Sequence, residues 1–281
     1  MKIRFLGPLF LRNMNTFAAQ KPPIDVTMTF QSPRIPSSLR PLLAVILLLE
    51  TGLLLTSCGR KYHVEGNSTV ASLDGRMLYL RTLHDGEWVS VDSSEVEHGS
   101  FRMAGAVDSV VMATLCTDDE GIMPLILESG RLRITLSNNV IKAQGTPLNN
   151  ALYAFIDGRS KLADRMEELE QRETRLVLEG KNFDIVHDSL ENEIMALSQE
   201  INSYVKDFIQ TNDENILGPG VFMMVCSTLP YPLLTPEIED IVNAAPATFH
   251  NNAFVKDYLA KARENMQLIE AQQSNALAAR N

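Results

Sequence analysis

The hydrophobic period of this chain changes once, at Gly145-Thr146-Pro147. Upstream, apolar and polar residues alternate; downstream, apolar residues recur at three and four. A period of two buries one face of a strand, and a period near 3.6 buries one stripe of a helix. Runs of strands followed by runs of helices predict an α+β fold. Here that is an N-terminal antiparallel β-sandwich, then a C-terminal helical region containing a long helical hairpin.

The strand half reads as short segments. These are Tyr62–Gly66, Met77–Arg81, Trp88–Asp92, Ser100–Met103, Ser109–Leu115, Met123–Leu127 and Arg131–Leu136. Turn signals separate them: Asp74-Gly75, Asp85-Gly86, His98-Gly99, Glu120-Gly121, Ser129-Gly130 and Asn138-Asn139. Short strands at a spacing of about 8–12 residues predict a sandwich or barrel. Their alternation predicts that each sheet buries one face. Asp85-Gly86 is a good hairpin turn, because both positions tolerate positive φ.

The helical half opens with Leu152, Phe155, Ile156, Leu162, Met166, Leu169 and Leu176. Past Glu179-Gly180-Lys181-Asn182 comes a cleaner stripe: Phe183, His187, Leu190, Ile194, Leu197, Ile201, Tyr204 and Phe208. Two long helices with a short glycine-containing link form an antiparallel hairpin, with Gly180 as the C-cap. The charged run Asp164 to Arg175 reads as a solvated face with i,i+4 pairs. Three shorter helices follow. One spans 214–228 with Gly218-Pro219-Gly220 strained inside it. One is capped by Thr235 with Pro236 at its first position and ends before Pro246. The last spans 251–273 and buries Phe254, Tyr258, Leu259 and Ile269, with a frayed tail from Ser274.

The first sixty residues are of another kind. Pro41 to Leu55 reads PLLAVILLLETGLLL, preceded by Arg34 and Arg40. A basic stretch, an apolar stretch of about 7–15 residues and small residues at a cleavage site make a secretory signal. A spanning helix needs about 20 apolar residues, and Glu50 interrupts this one. Leu55-Thr56-Ser57-Cys58 then resembles the lipobox of bacterial lipoproteins. The resemblance implies that the Cys58 thiol receives a diacylglyceryl group, that the chain is cut before it, and that its new amino group is acylated. Two or more acyl chains are needed for stable anchoring. Residues 1–40 fit a standard signal poorly, and Met28, which opens a more ordinary one, is the expected true start. The expected organisation is 1–57 signal, 58–146 sandwich, 147–273 helical domain and 274–281 flexible tail.

Six of the 25 Lys/Arg and two of the 35 Asp/Glu lie in residues 1–57. The remainder keeps 19 basic and 33 acidic residues, a net charge of −14. Such a surface repels phosphate backbones and anionic lipid head groups, so no nucleic-acid partner is expected and the lipid must do the anchoring.

Several stretches together resemble the domain of unknown function DUF4369 of Bacteroidetes lipoproteins. They are Tyr62-His63-Val64-Glu65-Gly66, Leu78-Tyr79-Leu80, Val91-Asp92-Ser93, Gly99-Ser100-Phe101, Pro124-Leu125-Ile126-Leu127-Glu128 and Gly145-Thr146-Pro147-Leu148-Asn149. Phe208-Ile209-Gln210, Asn215-Ile216-Leu217-Gly218 and Leu234-Thr235-Pro236-Glu237 look like the connector after that domain, so the resemblance spans residues 60–265. In many relatives these regions precede a thioredoxin-like domain of the thiol-disulfide oxidoreductase or AhpC/TSA type. That activity needs Trp-Cys-x-x-Cys, and this sequence has no Cys-x-x-Cys. The redox activity is therefore not carried over.

Candidate chemistry is sparse. Cys116 and Cys226 sit in apolar segments and read as small buried hydrophobes; a Cys116–Cys226 disulfide is the alternative. His63, His84, His98, His187 and His250 form no metal-ligand spacing. Asp118-Asp119-Glu120-Gly121 reads as a turn rather than a cation loop. Glu128 faces a strand end, and Asp92-Ser93 lies before a turn. No cofactor, metal or catalytic set is expected. The expected function is a lipid-anchored envelope protein with a non-catalytic binding role, on the periplasmic face of the outer membrane. Its partners would be the membrane through Cys58 and an envelope protein or small ligand. An accessory role in a thiol-disulfide pathway, beside a separate thioredoxin-like protein, is the second expectation.

Overall fold

A computed structural model describes residues 60–84, 87–118 and 120–278. The signal segment, Cys58, the Asp85-Gly86 turn and Asp119 lie outside the described residues. Eight strands form two four-stranded sheets. In chain order they are β1 (Lys61–Ser68), β2 (Met77–His84), β3 (Glu87–Glu95), β4 (Ser100–Ala106), β5 (Val111–Cys116), β6 (Gly121–Leu127), β7 (Gly130–Leu136) and β8 (Ile141–Gln144). One sheet has the order β4-β1-β7-β8 and the other β3-β2-β5-β6.

The pairing is antiparallel except between β1 and β7, which run parallel from Tyr62↔Gly130 to Ser68↔Leu136. The sandwich is therefore not wholly antiparallel, and strand alternation carries no signal that could reveal one parallel pair. Tyr62, Val64, Phe101, Met103, Leu132, Ile134 and Leu136 from one sheet, and Leu78, Leu80, Ala113 and Leu115 from the other, are buried. They belong to one continuous core with the body of the helical region. The space between the sheets is thus taken up by side chains.

The expectation of one buried face per sheet holds for β1, β4 and β7 and fails for β5 and β6. In β6 the pattern is nearly continuous burial, with Ile122, Met123, Leu125, Ile126 and Leu127 all covered. The helices pack on that outer face, so both sides of the strand are dry. β6 is also an edge strand, where Pro124 can lack an N–H without breaking the ladder.

Six helices follow: α1 (Pro147–Leu178), α2 (Phe183–Thr211), α3 (Leu217–Cys226), α4 (Pro236–Ala244), α5 (Ala247–Asn251) and α6 (Ala253–Ala278). α1 and α2 form the expected hairpin. Gly180 has φ +85°, its N–H donates to Val177 O (3.0 Å), and the Lys181 N–H donates to Leu176 O (3.2 Å). This is the helix ending that glycine permits at low steric cost. Asn182 caps α2 by accepting from the Ile185 N–H.

Three expectations are corrected. α3 begins at Leu217, not 214, so Gly218-Pro219-Gly220 forms its first turn, where the missing proline N–H costs no helical bond. The glycines there serve close approach: a Cβ at Gly220 would stand 2.8 Å from the Met112 sulfur, and one at Gly218 2.6 Å from Asn212 O. The last helix begins at Ala253 rather than 251, and a short helix not expected from the sequence, α5, precedes it; Asn252 separates the two, its side chain accepting from the Phe254 N–H at 3.0 Å. The buried face of the last helix is Val255, Tyr258, Leu259 and Ala262, while Phe254 is exposed and Ile269 half-buried. The helix continues through Ala278, past Ser274, where the sequence places the start of the tail.

α4 follows the expectation. Thr235 caps it by accepting from the Ile238 N–H, and Pro236 opens it. Phe222 of α3 meets Phe249 of α5 and Tyr258 of α6 edge-on, at centroid distances of 5.3 and 5.5 Å.

Candidate functional site

The residues singled out for chemistry are not brought together. Cys116 ends β5, Cys226 ends α3, and both are buried free thiols. The disulfide alternative is thereby set aside. Burial pushes the Cys116 thiol up to about 11 and the Cys226 thiol up to about 12. A thiol needs a lowered pKa and access to act as a nucleophile, and these have neither.

His63, His84 and His98 are exposed, on β1, on β2 and in the turn before β4. His250 closes α5 beside the Phe249 ring. Among the described residues no group of three His, Cys, Asp or Glu could hold a metal ion. Asp118 is exposed in the turn after β5, and a hydrogen bond with it is the main cause of a raised Tyr79 pKa.

Asp92 does not precede a turn. It sits inside β3, opposite Leu80, and its Oδ2 accepts from the Tyr62 hydroxyl at 2.7 Å. Asp92-Ser93-Ser94 has turn composition, yet strand pairing and the tyrosine hydroxyl satisfy it there. Burial, with that hydrogen bond, pushes the Tyr62 pKa up.

The most elaborate polar site is the joint between sandwich and hairpin. Asn149, in the first turn of α1, is 0% exposed. Its Oδ1 accepts from the Ile126 N–H at 2.9 Å, and its Nδ2 donates to Ile126 O at 2.7 Å. The side-chain amide thus takes the place of a further strand along the open edge of β6. Nδ2 also donates to Thr146 Oγ1 at 2.9 Å. Glu128 Oε1 accepts from the Leu148 and Asn149 N–H groups at 2.9 and 3.2 Å. Thr146 makes no side-chain cap bond. The carboxylate from the end of β6 caps the helix instead, where negative charge suits its N-terminal dipole.

This joint sets the direction of the hairpin. Asn149 is bonded to Ile126, Tyr153 donates to Pro124 O at 2.8 Å, and Asp157 is paired with Lys142 at 2.6 Å. As α1 advances, its partners move backward along both β6 and β8. α1 therefore runs antiparallel to both strands, away from the sandwich end where β1 begins.

The hairpin is held by aromatic packing near its base. Phe155 stacks on Tyr204 (5.4 Å) and meets Phe208 (4.4 Å). Arg165–Glu200 (2.8 Å), Arg172–Glu193 (3.4 Å) and His187–Glu173 (2.8 Å) bridge the two helices farther out. The buried residues of α2 are Val186, Leu190, Leu197, Val205 and Ile209, so only part of the expected stripe forms the seam. Phe183 and His187 are exposed and stack on each other at 5.5 Å. In α1 no residue past Leu162 is buried.

Sequence reasoning named Glu128, Thr146 and Asn149 as parts of motifs and gave none of them a structural role. The available signal was a polar residue in the first turn of a helix that must pack on a sheet. Its acceptor and donor partners are 23 residues upstream in sequence, beyond the reach of local pattern.

Residues 62–152 match the family described as a domain of unknown function (DUF4369). The chain thus carries that domain, which comprises the sandwich and the opening of α1, including Glu128 and Asn149. The stretches around Phe208, Asn215 and Leu234 that look like the connector lie outside the match. No curated protein matches the chain.

Proposed function

We propose that this DUF4369-bearing chain is a lipid-anchored protein of the bacterial cell envelope with a non-catalytic binding role, attached through Cys58. The observation that carries the reading is the junction between signal and fold. The lipobox-like Leu55-Thr56-Ser57-Cys58 follows directly on an apolar stretch, and β1 begins at Lys61, three residues after the cysteine. Cleavage before Cys58 would remove none of the eight strands. The burial of Cys116 and Cys226 favours a binding role over a thiol-exchange role.

The experiment compares wild type with Cys58→Ala in the native cell. The wild type should fractionate with membranes and carry the extra mass of a diacylglyceryl group and an N-acyl chain on its N-terminal cysteine. Cys58→Ala should lose that mass and leave the membrane fraction. Continued membrane partition of Cys58→Ala, with no mass difference, would sink the anchor.

A further inference from the structure

The net charge of −14 carried from Cys58 onward is not spread evenly. The outer face of the sheet β4-β1-β7-β8 is basic, and strand pairing sets its members in rows. His63 lies beside Ala104 on β4 and Arg131 on β7. Glu65 lies between Arg102 and Arg133, and Asn67 between Ser100 and Thr135. Lys61 opens the face at the start of β1, opposite Ala106. The alternation that buries Tyr62, Val64, Leu132 and Ile134 turns all of these side chains to solvent.

Lys142 of β8 shares the face but is paired with Asp157. That leaves Lys61, Arg102, Arg131 and Arg133 against Glu65. None of these five forms an ion pair among the described residues. Glu97 and Asp108 border β4 in its flanking loops, and Arg60 precedes Lys61. The balance stays positive with this border included.

Two observations identify what the face meets. The first is charge complementarity. A guanidinium group without a carboxylate partner suits phosphate oxygens, which it binds with two parallel hydrogen bonds. Charges on the far side of the sandwich stand about 10 Å away or more, beyond the screening length of roughly 8 Å at physiological ionic strength. A surface lying against this face therefore meets its local charge, not the net charge of the chain.

The second is position. Lys61 is three residues from Cys58, a tether of roughly 10 Å. From Lys61 to Asn67 the face extends about 20 Å along β1. It begins within the tether's reach of any bilayer that holds Cys58.

We infer that the outer face of β4, β1 and β7 lies against the bilayer, with Lys61, Arg102, Arg131 and Arg133 meeting the phosphates of anionic lipid headgroups. This rests on the lipid anchor proposed above and adds to it the orientation of the fold on the membrane. Each cation near an anionic surface strengthens association about fivefold. The acyl chains hold the protein, and the face sets its tilt.

The test takes the acylated protein from its native cell into vesicles. Thr135→Cys on the face carries a bimane fluorophore, and Ser274→Cys on α6 is the control. Cys116 and Cys226 are buried and stay unlabelled. The quencher is a nitroxide on the lipid headgroup. In vesicles containing phosphatidylglycerol, the Thr135 probe should be quenched about fivefold more than the Ser274 probe. The difference should shrink in phosphatidylcholine alone and at high salt. Arg102→Glu with Arg131→Glu and Arg133→Glu should erase it, and the three Gln substitutions should reduce it. All three positions are exposed, so the buried face of the sheet is untouched. Equal quenching at the two sites, or a difference unmoved by lipid charge or by charge reversal, would overturn the proposal. So would shielding of Thr135 that follows protein density instead of lipid charge, the mark of a second copy on this face. Mass spectrometry of the same preparation separates the two readings. Absence of acyl mass defeats the anchor and this orientation with it; acyl mass with equal quenching defeats the orientation alone.

Discussion

Asn149→Ala should loosen the joint between sandwich and hairpin by a calculable amount. The amide satisfies both the N–H and the C=O of Ile126 on the outer edge of β6, and Asn149 is 0% exposed. Truncation leaves two buried backbone groups without partners. Each such group costs about 1–3 kcal/mol, so the expected loss is about 2–6 kcal/mol. For a chain of this size, about 1 kcal/mol moves Tm by about 2–4 °C, which gives a fall of roughly 4–24 °C. Urea unfolding followed by far-UV circular dichroism measures the free energy, and a thermal scan measures Tm. Asn149→Leu separates hydrogen bonding from volume, because it refills the space yet satisfies neither group, so it should recover little. Asn150→Ala is the neighbouring control. Its Oδ1 accepts only from the exposed Gly145 N–H at 2.9 Å, so it should cost less than about 1 kcal/mol. A loss below about 0.5 kcal/mol for Asn149→Ala, or full recovery in Asn149→Leu, would refute the reasoning.

Two further outcomes follow from the thiols and from His187. In Cys58→Ala protein at pH 8, iodoacetamide should label neither Cys116 nor Cys226 in the native state and both in urea without added reductant. Burial holds them protonated, near about 11 and about 12. Fast native labelling, or a need for reductant, would contradict the buried free thiols. His187 has a pKa raised above its ordinary 6.5, chiefly by the hydrogen bond with Glu173. A raised folded-state value means that this bridge contributes fully below about pH 6.5 and fades as pH rises through the folded pKa. An NMR titration of the ring should show a midpoint above 6.5 that falls in Glu173→Gln; an unchanged midpoint would remove the bridge.

Elements were legible in the sequence where burial is one-sided and partners are near. The alternation in β1 and β7 and the Thr235-Pro236 and Gly180 signals all record local constraints: pleat, cap and turn. Positions went wrong where two elements compete for one side chain. The α2 stripe from Phe183 reads as a seam, yet Phe183 and His187 are exposed and Val186 is the residue of that turn that is buried. Phe254 reads as core by its spacing from Tyr258, but Val255 takes the buried face because Asn252 starts the helix anew.

What the sequence determined by itself is the division of labour: a sandwich to about residue 144, helices from Pro147, and a lipobox-like cysteine just ahead of the first strand. Each of these rests on neighbours within a turn or a strand. What only the tertiary structure decided is the parallel β1–β7 pair, the burial of β6 on both faces, and the Asn149–Ile126–Glu128 joint that aims the hairpin. These depend on groups 20 or more residues apart, and a one-dimensional pattern carries no record of which buried edge a side-chain amide will meet.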